Sequence, residues 1–116
     1  FVSLHCPGGK STLHLIDQQM LDLMKPTAHL INTARGDVVD TEALIQTLKA
    51  KTIMGAGLDV YEGEPNINKG LLGLDNVSLL PHLGSATVAT RTSMGEKVLN
   101  NLEAHFKGQS IPDRVI

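Results

Sequence analysis

Cysteine is nearly missing from this chain: Cys6 is the single one in 116 residues. No internal disulfide framework can form, and a reducing compartment, the cytoplasm, is the simplest setting. Net charge is equally slight, with 10 Lys and Arg against 12 Asp and Glu. There is no basic excess to hold nucleic acid or an anionic membrane. No apolar run is long enough to span a bilayer, and the N-terminus lacks the basic-then-apolar order of a signal peptide. His-x-x-x-His and Cys-x-x-Cys spacings do not occur, so no metal site is expected. An initiator Met is missing too: the sequence opens on Phe1-Val2-Ser3-Leu4-His5, which reads as a buried strand and predicts a fragment that begins inside a fold. Small-molecule or protein partners remain.

What is present is an apolar share of 41%, enough for one core and too little chain for two. Runs that read as buried strands, Val2–His5, Ala28–Asn32, Ile53–Val60 and Val77–Leu80, alternate with helical patterns. Asp17 predicts the cap of a helix through Met20, Leu21, Leu23 and Met24 that Pro26 stops. Asp40 predicts another, with Ala43, Leu44, Thr47 and Leu48 on one face. A long helix is expected from Ser85–Thr87 to Phe106, its apolar row of Met94, Val98, Leu102 and Phe106 packing against the sheet, with Lys107-Gly108 at its end. Between Glu62 and Asn76, glycine, asparagine and proline mark a long irregular loop. The order β, α, β, α, β, loop, β, α fits part of a doubly wound parallel sheet of Rossmann type, in α/β class.

Each strand ends in a polar cluster: His5-Cys6-Pro7, then Asn32-Thr33-Ala34-Arg35-Gly36, then Asp59 with Glu62 and Glu64, then His82-Leu83-Gly84-Ser85. Ligands of open α/β sheets sit at those ends. An Arg, a carboxylate and a His there suffice for reducing a 2-keto acid. The Arg35 fork matches a carboxylate, His82 can protonate the carbonyl oxygen, and a carboxylate such as Glu64 can fix the tautomer of the imidazole. Spacing alone leaves plainer readings open. Arg35 can be a loop arginine paired with Asp37 or Asp40, His82 a helix-capping group, and Glu64 a solvated loop carboxylate. Asp59 resists a plain reading, because it closes an apolar run where an unpaired charge is costly. His14, His29 and His105 have no partnered carboxylate in the pattern and read as surface or structural residues. Cys6 reads as a small pocket-lining residue. Pro7-Gly8-Gly9-Lys10-Ser11-Thr12 lacks the spacing of a phosphate loop.

Three ordered stretches carry a resemblance. Leu30-Ile31-Asn32-Thr33-Ala34-Arg35-Gly36-Asp37-Val38-Val39-Asp40 is similar to the segment around the catalytic arginine of D-2-hydroxyacid dehydrogenases. Gly57-Leu58-Asp59-Val60-Tyr61-Glu62-Gly63-Glu64-Pro65 resembles the one with the carboxamide-binding aspartate and the catalytic glutamate, and Leu80-Pro81-His82-Leu83-Gly84-Ser85-Ala86-Thr87 the one with the acid/base histidine. His5-Cys6-Pro7 and Met24-Lys25-Pro26 extend the likeness along the chain. The resemblance implies Arg35, Glu64 and His82 as catalytic residues. It also implies Cys6, Pro7, Thr33, Ala34, Arg35, Asp59, His82 and Gly84 as residues facing NAD or NADP.

Glutamate in Gly63-Glu64-Pro65, where formate dehydrogenases have glutamine, disfavours a formate enzyme. The run from Asp59 to Asn66 and the close from Gly108 to Ile116 look most like glyoxylate and hydroxypyruvate reductases. A small 2-keto or 2-hydroxy acid substrate and a homodimeric full-length parent follow from the same resemblance. Nothing here matches the Gly-x-Gly-x-x-Gly turn, the residue that selects NAD or NADP, or the substrate domain, and all three are expected upstream of Phe1. On this reading residues 1–116 are part of one NAD(P)-binding domain. The rival reading is a dinucleotide-sensing binding module, since dehydrogenase-like corepressors keep the same three stretches.

Overall fold

In the computed structural model, which describes residues 1–115, the chain divides into two compact units, Phe1–Gly84 and a second that begins at Ser85. Ile116, at the end of the closing segment, lies outside the described residues.

Among the described residues, β1 (Val2–Leu4), β2 (His29–Asn32), β3 (Gly55–Leu58) and β4 (Val77–Leu79) form one parallel sheet in the order β1-β2-β3-β4. Its register pairs Leu30 with Ala56 and Asn32 with Leu58, and these four residues are buried on one face. The other face is partly open, as Ile31 and its partner Gly57 show. β2 alternates in burial while β3 is buried at every position but Gly57, and all four strands are shorter than their apolar runs. Ile53, Asp59 and Val60 are as buried as β3 itself, yet they lie in the approach to and exit from the strand. Burial made that run look longer than its ladder.

The connections follow from caps and stops. The Asp17 carboxylate accepts from Met20 N at 3.0 Å and opens α1 (Gln18–Asp22). This helix ends before Met24, because Pro26 disfavours helical geometry at the residue before it and Lys25 instead enters a turn closed by Ala28 N–H. The Asp40 side chain accepts from Ala43 N at 3.0 Å and caps α2 (Thr41–Lys49). Ala43, Leu44, Thr47 and Leu48 are buried as their spacing predicts, and Ile45 joins them. Ala43, Leu44, Ile45 and Leu48 form the core of the first unit with Leu21, Leu30, Val38, Ile53 and Leu71. Burying each large aliphatic side chain contributes about 1.5–3 kcal/mol. The long loop after β3 is closed from within: Leu71, in a single 3-10 turn over Lys69–Leu71, is buried in that core.

The second unit holds α3 (Val88–Phe106), capped by the Thr87 hydroxyl on Thr90 N at 3.1 Å. It ends at Lys107 with Gly108 in the left-handed region, φ 65°, where glycine pays no Cβ penalty. The row Met94, Val98, Leu102 and Phe106 is 48–82% exposed, and within α3 only Ala104 is buried. The expectation that this row packs into a core is not met in this chain. The tail returns to the helix, where Asn101 and Asp113 exchange hydrogen bonds and Lys97 pairs with the Asp113 carboxylate. Among the described residues no helix is long and apolar enough to cross a membrane.

Candidate active site

The functional side chains sit where parallel strands end, and hydrogen bonds of the loops themselves set their places. After β2, the buried Asn32 accepts from Ala34 N at 3.0 Å and donates to Arg35 O at 2.9 Å. Its amide thus shapes the turn that presents Arg35. The guanidinium donates from Nη1 to Ala34 O at 2.6 Å. Gly36 then has no room for a side chain: a Cβ there would overlap the Tyr61 carbonyl group and Glu62 N. This contact fixes how closely the Arg35 turn approaches the loop after β3.

That loop supplies the carboxylate. Glu64 Oε1 accepts from Tyr61 N at 2.8 Å, and Oε2 lies 2.7 Å from His82 Nδ1. The hydrogen bond with His82 holds the Glu64 carboxyl below its ordinary value, with the Tyr61 N–H adding to it against slight desolvation. An ionised Glu64 requires the proton on His82 Nδ1, so Nε2 is left for a substrate. The peptide bond between Glu64 and Pro65 is cis.

His82 itself has φ 53°, a left-handed backbone that is unfavourable for a side-chain-bearing residue. Two groups of the loop after β3 hold its segment there. The buried Asp59 carboxylate accepts from Leu83 N at 2.7 Å and from Gly84 N at 3.0 Å. The Tyr61 hydroxyl reaches Leu80 O at 2.6 Å. Burial raises the Tyr61 pKa against the bond to Leu80, and the carboxylates of Asp59 and Glu64 raise it further, so the hydroxyl stays a donor.

Arg35, Glu64 and His82 line one cavity of about 390 Å³, shared with Gly36, Asp37, Tyr61, Glu62 and Gly63. Cys6, Pro7, Thr33, Ala34 and Arg35 line a second, of about 520 Å³, with His5 and Gly8. Arg35 is the wall common to both. Of the residues expected to face a dinucleotide, those five are therefore together, while His82 lines the first cavity and Asp59 and Gly84 are bonded to one another. The charge that closes the β3 run is satisfied by two backbone donors, a structural reason for Asp59 that the sequence pattern does not reveal.

Several residues of the site escape the sequence pattern. Asn32, Gly36 and Tyr61 shape the loops through contacts with backbone groups, which no spacing encodes. His14 is the sharpest correction: far from lacking a carboxylate, its Nε2 lies 2.7 Å from Glu62 Oε1. The two residues are too distant in the chain for any periodic signal.

Four parallel strands with an arginine and a histidine–glutamate pair in the loops after them make an α/β domain of Rossmann type. Residues 1–84 match the family described as "D-isomer specific 2-hydroxyacid dehydrogenase, NAD binding domain", and the chain belongs to that family. It is 55% identical over 115 residues to a glyoxylate reductase of Thermococcus litoralis, covering 99% of this chain and 35% of that protein. It is 46% identical over 111 residues to glyoxylate/hydroxypyruvate reductase A of Arabidopsis thaliana, covering 96% of this chain and 36% of that protein. Among solved structures, the NADPH-dependent glyoxylate/hydroxypyruvate reductase of Sinorhizobium meliloti, in complex with NADP and malonate, superposes with a TM-score of 0.85 at 47% identity, over 90% of this chain and 33% of that one. The chain spans about a third of the length of these relatives.

Proposed function

We propose that this chain is the substrate-facing part of the nucleotide-binding domain of an NAD(P)-dependent reductase that converts small 2-keto acids of the glyoxylate and hydroxypyruvate kind to 2-hydroxy acids, in the D configuration where the product is chiral. The observation that carries this reading is the His82–Glu64 pair sharing one cavity with Arg35. Arg35 binds the substrate carboxylate and polarises the carbonyl, because a guanidinium offers parallel donors to a planar anion. His82, protonated on both nitrogens, gives the Nε2 proton to the carbonyl oxygen as that oxygen gains charge. It keeps the Nδ1 proton on Glu64, so the imidazole ends neutral in one tautomer. Glu64 stabilises the imidazolium before transfer and orients the ring throughout.

The cavity lined by Cys6, Pro7, Gly8, Thr33 and Ala34, with His5 and Arg35, has mostly small residues for walls, which suits the flat end of a nicotinamide. Those residues would hold the cofactor there, with Asp59 and Gly84 beside them. The Asp59 oxygens keep lone pairs beyond the two they give to Leu83 and Gly84, enough to accept a carboxamide N–H. When bound, the reduced ring supplies the hydride to the keto carbon. A glycine turn for the pyrophosphate and a substrate domain come, on this reading, from the rest of a longer polypeptide. The share of each relative that the chain covers supports this.

The test is turnover of glyoxylate and hydroxypyruvate by the full-length protein, followed by nicotinamide absorbance. His82→Ala should lower kcat by about 10²–10⁴ while leaving cofactor affinity nearly intact. Unchanged turnover would remove His82 from the mechanism. Dinucleotide binding without any turnover in the unmutated protein would point to a binding module instead.

A further inference from the structure

Outside the catalytic pair, the first unit contains a second histidine–carboxylate pair to which neither the family nor the mechanism above assigns a role. His14 lies in the loop between β1 and α1 with φ 50°, held by its own N–H on Asp37 O at 2.8 Å. Its Nε2 meets Glu62 Oε1 at 2.7 Å, and its Nδ1 lies 3.8 Å from Asp40 Oδ2. The other Glu62 oxygen accepts from Thr41 N, the first residue of α2, at 3.0 Å. Glu62 is therefore tied to two elements at once, and the groups facing His14 are Glu62, Asp40 and Asp37.

The position of Glu62 is what gives this pair a purpose. It precedes Gly63 and Glu64 in a turn whose floor is Gly36 and whose other end delivers Glu64 to His82. Inside the turn, Tyr61 N binds Glu64 Oε1. The turn is thus held at Glu62 by His14 and α2, closed on itself at Tyr61, and presents its free carboxylate oxygen to the acid/base histidine. We propose that His14 is a positioning residue for the reaction: by anchoring Glu62 it sets where Glu64 meets His82. This rests on the reductase reading given above. His14 touches neither substrate nor cofactor and acts through the Tyr61–Glu64 turn.

Two kinds of measurement test it. In the full-length enzyme, His14→Phe keeps a ring of similar size and removes the bond to Glu62. It should lower kcat roughly tenfold while KM for glyoxylate and for the reduced dinucleotide shifts by less than about twofold, as displacement of a catalytic group without loss of binding requires. His14→Gln, whose amide can still donate to Glu62, should recover most of the loss. In a Glu64→Gln background His14→Phe should add almost nothing, because both changes act on the same contact. If His14→Phe does not fold, Glu62→Leu takes its place in the same cycle. Additive losses, or an effect confined to KM, would overturn the proposal.

The second measurement is independent of turnover. Carbon-13 NMR titration of the Glu64 carboxyl in the full-length enzyme should show its pKa moving up toward the ordinary value in His14→Phe, since the His82 bond loosens. An unmoved titration means that Glu64 does not feel His14, and the proposal fails. If Glu64→Gln itself leaves turnover intact, the reductase reading fails, and the titration alone then decides whether His14 positions Glu64.

Discussion

At His82 the backbone adopts a conformation that costs about 1–3 kcal/mol for a non-glycine residue, and a single loop holds it there. Asp59 takes two of its neighbours' N–H groups, Tyr61 takes the carbonyl of Leu80, and Glu64 takes the ring. The pair on the far side of that loop has a pH signature. The hydrogen bond to Glu62, with the charges of Glu62, Asp40 and Asp37, raises the His14 pKa above 6.5 in spite of desolvation. Partial burial pushes the Glu62 carboxyl up, but the bonds from His14 and Thr41 outweigh it and hold the group below 4.5. A raised histidine stabilises the fold fully below its unfolded value, and this stabilisation is lost as pH climbs through the folded value. A lowered carboxylate stabilises above its unfolded value and fails as pH falls through the folded one. The pair therefore contributes most between 4.5 and 6.5. Thermal unfolding of the wild type should lose stability as pH climbs above 6.5 through the raised folded value of His14, and His14→Phe should lose measurably less over the same range. Parallel curves for the two proteins would show that His14 titrates alike in the folded and unfolded chain. The pairing of His14 with Glu62 was not legible in the sequence. The convergence of Arg35, Glu64 and His82 on one cavity was expected from their places after strands, whereas the pairing of His14 depends on loops meeting in space.

Among the elements, the two longer helices show what periodicity does and does not encode. In α2 the stripe of Ala43, Leu44, Thr47 and Leu48 identified its buried face correctly, since capping, polar residues and apolar spacing all agree there. The stripe of α3 was as clear, yet Met94, Val98, Leu102 and Phe106 stand exposed. Amphipathic spacing says that a helix has an apolar face, not which surface covers it. The strand ends were legible only to within a residue or two, because burial continues past the ladder at Ile53 and Asp59. Stability should divide along the same line. Leu48→Ala removes a fully buried side chain from the core of the first unit and should cost about 2–5 kcal/mol in urea unfolding. Met94→Ala, on the exposed row, should stay within about 0.5 kcal/mol. Comparable losses from both would mean that the α3 row is covered in solution.

At the scale of the whole molecule, the question is how much of the reaction these residues support by themselves. On the proposed reading, the nicotinamide end of a dinucleotide and a small keto acid would meet Cys6, Thr33, Ala34, Arg35, Glu64 and His82, which line the two cavities. The pyrophosphate would not. Its usual seat is a helix N-terminus that follows a Gly-x-Gly-x-x-Gly turn, and no such spacing occurs among the 116 residues. Of the two longer helices, α2 has N-terminal N–H groups already engaged by Asp40 and Glu62, and the first turn of α3 is capped by Thr87. β1 and β4 are edge strands of this sheet, with backbone groups open to pairing. The 116-residue chain alone should therefore bind NADPH far more weakly than the full-length protein, and should show no turnover of glyoxylate under conditions where that protein is active. Fluorescence titration of the bound dinucleotide and the absorbance assay, run side by side on the two proteins, measure both. Turnover by the short chain at a rate near that of the long one would mean that the pyrophosphate is held by groups other than a glycine turn, with Arg35 and the loop from Cys6 to Gly8 the first to test by substitution.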